Sequence, residues 1–397
     1  MLNSGFSVWP NFTQDEAQAV SRVLMSNKVN YWTGEEGRLF EKEFASWMGA
    51  KHAIALSNGT LALDLALHGL KVGRVNGGAA DDEVIVTPRS FIASVSCVVN
   101  AGAAPVFVDV DPTSGNLSAA SIKPVLSPRT KAIIVVHLAG QPCDMDAIMA
   151  LARPRGIKVI EDCAQAHGGA INGKSLGTFG DVAAWSFCQD KIMTTGGEGG
   201  MVTCDDEGLW QRMWSFKDHG KSWDSVYDTQ HPRGFRWVHD SIGTNWRMLE
   251  MQAVLGRIQL TLMDEWHAKR KENALRIWDA ASRFSCVDVP HLPDGHEHAF
   301  YKAYIHVNPE RLKPSWSRDR IVSEINAFKV PCYHGSCSEI YLENAFDGTP
   351  WRPAQRLPHA RRLGETSLMF LVHPTLTERE IDKTCGALAQ VLSEAQA

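Results

Sequence analysis

The chain is short of the features that announce metal, membrane or nucleic-acid work. Its nine cysteines are scattered, and no two are spaced C-x-x-C. Cys332 and Cys337 bracket a short loop, but a structural zinc needs more ligands than that pair supplies. Idle or buried thiols in a reducing cytoplasm account for such a pattern. His296-x-His298 is a bare pair of a common kind, so no metal is expected. The N-terminus, MLNSGFSVWPNF, has neither the basic start nor the apolar core of a secretory leader. No apolar run is long enough to span a bilayer. These absences set the expectation of a cytoplasmic protein with no membrane partner. Excess charge of one sign is small: the formal net charge of −5 argues against a nucleic-acid binder held by phosphate contacts. No G-x-G-x-x-G follows the first apolar strand, so a dinucleotide dehydrogenase lacks its signature.

What is present reads as an ordinary globular chain of alternating elements. Its 397 residues exceed what one core usually supports, so two domains are expected, 1–264 and 265–397. Thr13-x-x-Glu16 reads as a capping box that opens a helix through Met25. His52 to Leu56 reads as a strand and Leu61 to Leu67 as a helix. Glu83 onward, Ala104 to Val108, Ala132 to Val136 and Lys158 to Ile160 read as further strands. Short helices, Ser118 to Val125 and Asp146 to Arg155, fall between them. This is the βαβ rhythm of a mostly parallel sheet. Met251, Val254, Leu255, Ile258 and Leu262 recur at helical spacing as a buried or subunit-facing stripe. Beyond about Asp264 the pattern changes. A polar helix over Lys269–Ala281 leads to a break at Pro290, Pro293 and Gly295. A strand at Tyr304–Val307, a helix at Ser317–Phe328 and a closing helix capped by Thr377-x-x-Glu380 follow. That reads as a smaller α+β domain.

The stretch from Ile157 to Thr203 carries the chemistry. Asp162 stands just past a short apolar strand, and in open α/β sheets ligands sit beyond the carboxyl ends of strands. An acid there can hold a ring nitrogen protonated, although a lone Asp is more often a helix cap or an ion-pair partner. Lys191 lies between the strands Val182–Phe187 and Met201–Thr203, with Gly196, Gly197, Gly199 and Gly200 behind it. A partly desolvated lysine becomes a nucleophile; the ordinary alternative is a solvated loop lysine ahead of a tight hairpin. Ser57-Asn58-Gly59-Thr60 marks a strand-turn-helix junction, where free N–H groups and a positive dipole end suit a phosphate. Simple capping by Asn58 or Thr60 would leave the same trace. The succession of strand-end acid, Ser-x-x-x-x-Lys and glycines favours chemistry over those plainer readings.

EDCAQAHGG followed by GDVAAWSFCQDKIMTTGGEGGMV resembles the DegT/DnrJ/EryC1/StrS family of sugar aminotransferases. SNGTLAL, PRSFIAS, DVD, VHLAGQPCDMD and TNWRMLEMQA fall in that family's order and spacing. The resemblance implies the α/β fold of type I pyridoxal-phosphate aminotransferases, similar to aspartate aminotransferase. That fold has a large domain with a mostly parallel mixed sheet flanked by helices, and a smaller α+β C-terminal domain. It implies pyridoxal 5′-phosphate (PLP) as cofactor, carried by Lys191, with Asp162 on the ring nitrogen and Gln165 near the ring oxygen. Phe91 is implied against the ring face, and Gly59, Thr60 and Ser186 at the phosphate. Asn245 is implied to reach the cofactor phosphate of a neighbouring subunit, hence a homodimer with shared active sites. Tyr31, in the aromatic arm Lys28–Gly37, and His334 are placed toward the substrate. The donor implied is glutamate. The acceptor is a nucleotide-linked keto sugar, 4-keto-6-deoxy by the run KIMTTGGEGGM, in amino-sugar and cell-surface polysaccharide biosynthesis such as that of lipopolysaccharide O-antigen. Trp214, Lys217, His219, Lys221, Trp223, Arg233, Arg236 and Trp237 suit the diphosphate and base of that substrate, or belong to a long surface loop. Two other readings share the fold: a PLP-dependent sugar dehydratase, in which histidine replaces the lysine kept here as Lys191, and a cyclitol or aminoshikimate-type aminotransferase. A DNA-binding regulator is disfavoured by the acidic balance.

Overall fold

The computed structural model describes residues 5–231 and 233–397. The first four residues of the stretch read for a leader lie outside them. The chain opens with α1 (Gln14–Met25), whose Thr13 and Glu16 side chains form the expected reciprocal cap, and α2 (Glu36–Met48). There follow β1 (His52–Leu56), α3 (Gly59–Gly69), β2 (Glu83–Val86), α4 (Ala93–Asn100), β3 (Ala104–Phe107), α5 (Ala119–Ile122), β4 (Thr130–Val136), α6 (Met145–Ala152) and β5 (Lys158–Asp162). A small hairpin, β6 (Ala170–Ile171) and β7 (Lys174–Ser175), precedes β8 (Val182–Ser186), β9 (Gly200–Cys204) and α7 (Glu207–Lys217). α8 (Glu250–Leu260) and α9 (Met263–Ser282) complete this half.

Seven strands form one sheet in the order β1-β9-β8-β5-β4-β2-β3. β3, β2, β4, β5 and β8 run parallel, while β9 is antiparallel to both of its neighbours, β8 and β1. Successive side chains on a strand face opposite sides. On β4, Ile133 and Val135 therefore join Phe40 and Phe44 of α2 and Ile148 of α6 in one core. Ile134 and Val136 join Leu63 of α3, Val95 of α4 and Met213 of α7 in another. Both faces are covered by helices, which is why these strands read as continuous apolar runs.

The remaining elements are β10 (Val287–Asp288), β11 (His296–Glu297), β12 (Ala303–Val307), α10 (Arg318–Ala327), β13 (Cys332–Tyr333), α11 (Pro358–Thr366), β14 (Ser367–Phe370) and α12 (Glu378–Ala395). A second sheet has the order β10-β12-β14-β13 and packs under α9, α10 and α12. β11 instead pairs with β6, so this segment reaches back to the first half. Thr377 and Glu380 form the capping box expected for α12. The apolar stripe of α8 packs in part on α1 of the same chain, where Val254 meets Ala19 and Val23. Among the described residues, no helix is long and apolar enough to cross a membrane.

Candidate active site

β5 ends at Asp162, β8 ends at Ser186 and α3 begins at Gly59. These ends open onto one cavity of about 820 Å³, which Thr60, Phe91, Gln165 and Lys191 also line. It lies beyond the carboxyl ends of parallel strands, where the strand order makes a crevice.

Asp162 is buried at the cavity wall. Its Oδ2 accepts the Ser94 hydroxyl at 2.7 Å and its Oδ1 the Ala164 N–H at 3.1 Å. Ser94 is in turn 2.8 Å from the Ser90 hydroxyl. Burial pushes the Asp162 carboxyl above its ordinary range, while the Ser94 hydroxyl, the Ala164 N–H and the Lys191 charge hold it down. A carboxylate has about four lone-pair sites, so this one keeps room for a further donor.

The Lys191 side chain is 15% exposed, with its amine 3.9 Å from Asp190 Oδ1 and 5.2 Å from the centre of the Tyr301 ring. Its backbone is pinned twice. The Lys191 N–H donates to Cys188 at 3.1 Å, and the Trp9 indole donates to the Lys191 carbonyl at 2.7 Å. The Tyr301 hydroxyl donates to Asp190 Oδ2 at 2.5 Å.

At the other end, Asn58 caps α3 by accepting the Leu61 N–H at 2.9 Å. The first-turn N–H groups of Gly59 and Thr60 have no intrahelical acceptor and carry the positive end of the helix dipole. A Cβ on Gly59 would stand 2.6 Å from Ser186 Cβ, and one on Gly200 would stand 2.3 Å from the Asn58 carbonyl oxygen. Glycine at both positions is what lets α3 start against β8 and β9. Gln165 Oε1 accepts the Ala139 N–H at 2.6 Å, which leaves its NH₂ to donate elsewhere. Phe91 is exposed at the cavity. An amine, a buried acid, an amide donor, an aromatic face and an anion-ready helix start make a donor set that fits PLP.

Three of the expected positions do not line this cavity. Asn245 is exposed, pairs through its backbone with Asp218 and does not line the cavity of its own chain. Tyr31 is not at a substrate mouth, and that expectation is corrected. It is 2% exposed, its hydroxyl donates to Glu41 at 3.1 Å and accepts the Trp214 indole at 3.3 Å, and Lys217 Nζ sits 3.9 Å from its ring centre. The aromatic arm supplies core here, because Trp214 and Lys217 lie on α7 and are themselves buried. They cannot serve a diphosphate either. The His334 ring is exposed and lies 3.5 Å from Asp319, beside Tyr333 and Gly335, which line the cavity.

Sequence reasoning missed Ser90, Ser94, Tyr301 and Lys302, all of which line the cavity. The two serines stand within the PRSFIAS run, flanking the Phe91 that drew the reading; nothing local marks the other two. Among the described residues one grouping has metal-like spacing, His137, Glu161 and Cys163. The Glu161 and His137 atoms of this grouping are already used. Glu161 accepts the N–H groups of Gly177, Phe179 and Gly180, and meets His137 Nε2 at 3.1 Å. His137 Nδ1 accepts the Cys143 N–H. This network props the end of β5.

A family model described as the DegT/DnrJ/EryC1/StrS aminotransferase family matches residues 10–389. The GDP-perosamine synthase of Caulobacter vibrioides is 37% identical over 370 residues, covering 91% of this chain and 92% of its own length. The UDP-N-acetyl-3-dehydro-alpha-D-glucosamine 3-aminotransferase of Acidithiobacillus ferrooxidans is 35% identical over 375 residues, covering 94% and 92%. The X-ray structure of an aminotransferase from Psychrobacter cryohalolentis superposes with a TM-score of 0.95 at 59% identity, over 98% of this chain and 99% of that one.

Proposed function

The chain belongs to the DegT/DnrJ/EryC1/StrS aminotransferase family, and from that premise we propose that this PLP-dependent sugar aminotransferase moves nitrogen from glutamate to a nucleotide-linked 4-keto-6-deoxy sugar. The observation that carries the reading is the meeting of the Lys191 amine, the Asp162 carboxyl and the start of α3 at one cavity. Relatives named for GDP- and UDP-linked sugars support the nucleotide-linked acceptor. We place the reaction in the cytoplasm, on a route to cell-surface polysaccharide such as O-antigen.

When bound, PLP supplies an electron-withdrawing ring that acidifies the Cα–H bond of the donor. Lys191 would carry the cofactor, and its freed amine would take that proton from the donor Cα as general base and deliver it to the cofactor's C4′ carbon as general acid. Asp162 accepts a hydrogen bond from the ring N–H and so favours its protonated form. Gln165 donates its amide to the ring oxygen, and Phe91 covers one ring face. The Gly59 and Thr60 N–H groups and the Ser186 hydroxyl hold the phosphate. Asn245 serves the partner's phosphate, which makes the homodimer the working unit. We assign the chain two domains, 1–264 holding the cofactor and 265–397 closing the cavity from the other side.

Borohydride reduction of the yellow holoenzyme, followed by peptide mass analysis, tests the assignment. The adduct is expected at Lys191, and Lys191→Ala is expected to fold without forming it. A Lys191→Ala protein that still traps the cofactor at another lysine overturns the role. Titration of candidate keto sugars, followed by the loss and return of the chromophore, then identifies the acceptor.

A further inference from the structure

The cavity contains a second lysine. Lys302 immediately precedes β12, is only 8% exposed and lines the cavity wall. Its Nζ stands 4.6 Å from the centre of the Tyr301 ring, the same ring that the Lys191 amine overlies. Among the described residues that ring is its one close partner, with no hydrogen-bond acceptor and no carboxylate within ion-pair distance. Arg270 is buried near it, with Nε and Nη2 unbonded and Nη1 reaching only the Tyr301 carbonyl, at 3.4 Å. The nearest counter-charge, Asp190, is already engaged by the Tyr301 hydroxyl and by Lys191. This wall therefore holds more positive than negative charge in a site withdrawn from water. Buried charges persist when they are paired, and an acidic ligand in the cavity can supply the missing partner.

We propose that Lys302, backed by Arg270, is a carboxylate-binding subsite of the cavity. It takes a carboxylate of the amino donor, since the 6-deoxy acceptor proposed above carries no acid at C6. The inference rests on the reading of this cavity as the transamination site, and deepens it by naming what that wall recognises. Burial pushes the Lys302 amine down to about 8, with Arg270 and Lys191 adding to the shift and Asp190 opposing it. The other titratable groups facing it, Tyr301 and His373, are uncharged at neutral pH, the first pushed up and the second pushed down to about 3. A bound carboxylate stabilises the ammonium, so affinity for it must fall as pH rises past about 8.

The test is calorimetric titration of glutarate, a dicarboxylate with no amino or keto group, into wild-type, Lys302→Gln and Lys302→Arg holoenzymes. At pH 7, Lys302→Gln is expected to bind it at least about tenfold more weakly, the scale of one lost charge-assisted bond. Lys302→Arg is expected to stay near wild type. A matched pair of nucleotide hexose and nucleotide hexuronate, titrated alongside, is the control for an acid on the sugar. A loss confined to glutarate supports the donor subsite, and a loss confined to the hexuronate overturns it. Lys302→Gln binding both acids within about twofold of wild type overturns the proposal, the fold-change being well under the expected one. If Lys302→Gln fails to fold, the wild-type pH series decides: affinity for both acids that is flat between about pH 7 and 9.5 overturns it. Borohydride trapping at Lys191 in the same preparations keeps the two failures apart. Trapping with unchanged acid binding refutes only Lys302, whereas no trapping refutes the cavity reading beneath it.

Discussion

Ser94→Ala tests whether the cavity acid is tuned from behind. The Ser94 hydroxyl and the Asp162 carboxyl are both buried and 2.7 Å apart, so their bond is little screened by solvent. A hydrogen bond to a charged acceptor contributes about 1.5–3 kcal/mol. One pKa unit corresponds to about 1.4 kcal/mol, so the lost hydroxyl should raise the Asp162 carboxyl by one to two units on the order of magnitude. Burial already holds that carboxyl high, and the Ala164 N–H is the other hydrogen bond keeping it ionised. The variant therefore needs a higher pH to present a carboxylate at the cavity wall. The acid limb of kcat/KM for the half-reaction with the amino donor should therefore move up by about one unit or more, with activity recovering on the alkaline side. Ser94→Thr, which restores a hydroxyl, should return the limb to its place. Cofactor absorbance followed over the same pH range gives a second reading that a packing defect would not shift. If the Ser94→Ala profile overlies that of the wild type, the Ser94 hydroxyl does not tune the acid and the argument fails.

Two further outcomes follow from buried charge. His167, His298 and His373 are each pushed by burial to about 3. The unfolded chain then binds their protons first, so stability is whole above about pH 6.5 and declines toward pH 3, by up to about 1.4 kcal/mol per pH unit for each histidine. Urea unfolding at pH 7.5, 6 and 5 checks this, and equal midpoints throughout would contradict it. Lys217→Met should destabilise by about 2–4 kcal/mol, because it removes the buried amine that stands 3.7 Å from Glu41. Adding Glu41→Gln to that variant should recover much of the loss, read as a thermodynamic cycle by chemical denaturation; strictly additive losses would show that the two side chains do not act as a pair.

The main sheet was legible because its strands are buried on both faces. Runs such as Ala132 to Val136 stay apolar without a break, and their alternating side chains feed two separate cores. Asp162, Lys191, Gly59 and Thr60 stand at a strand end, ahead of a glycine block and at a helix start, where local pattern can mark them; Phe91, Gln165 and Ser186 carry no such mark and were placed by the family resemblance, and all seven line one cavity. The failures share a different cause, which is contact across the chain. α2 lacks a side-chain cap of its own, and its first N–H groups are met by Glu250, far along the sequence. No local rule marks that helix start. Tyr31 sits in a turn-rich arm that looks solvent-facing, yet Glu41, Trp214 and Lys217 close over it from α2 and α7. Lys302 shows the same logic reversed. Its neighbours along the chain describe a strand entering the second sheet, and a lysine there reads as a surface residue. Its amine lies inward over the Tyr301 ring, with Arg270, which arrives from α9, near it. A cation becomes informative only once burial and the absence of a carboxylate are both known, and both are properties of the assembled cavity.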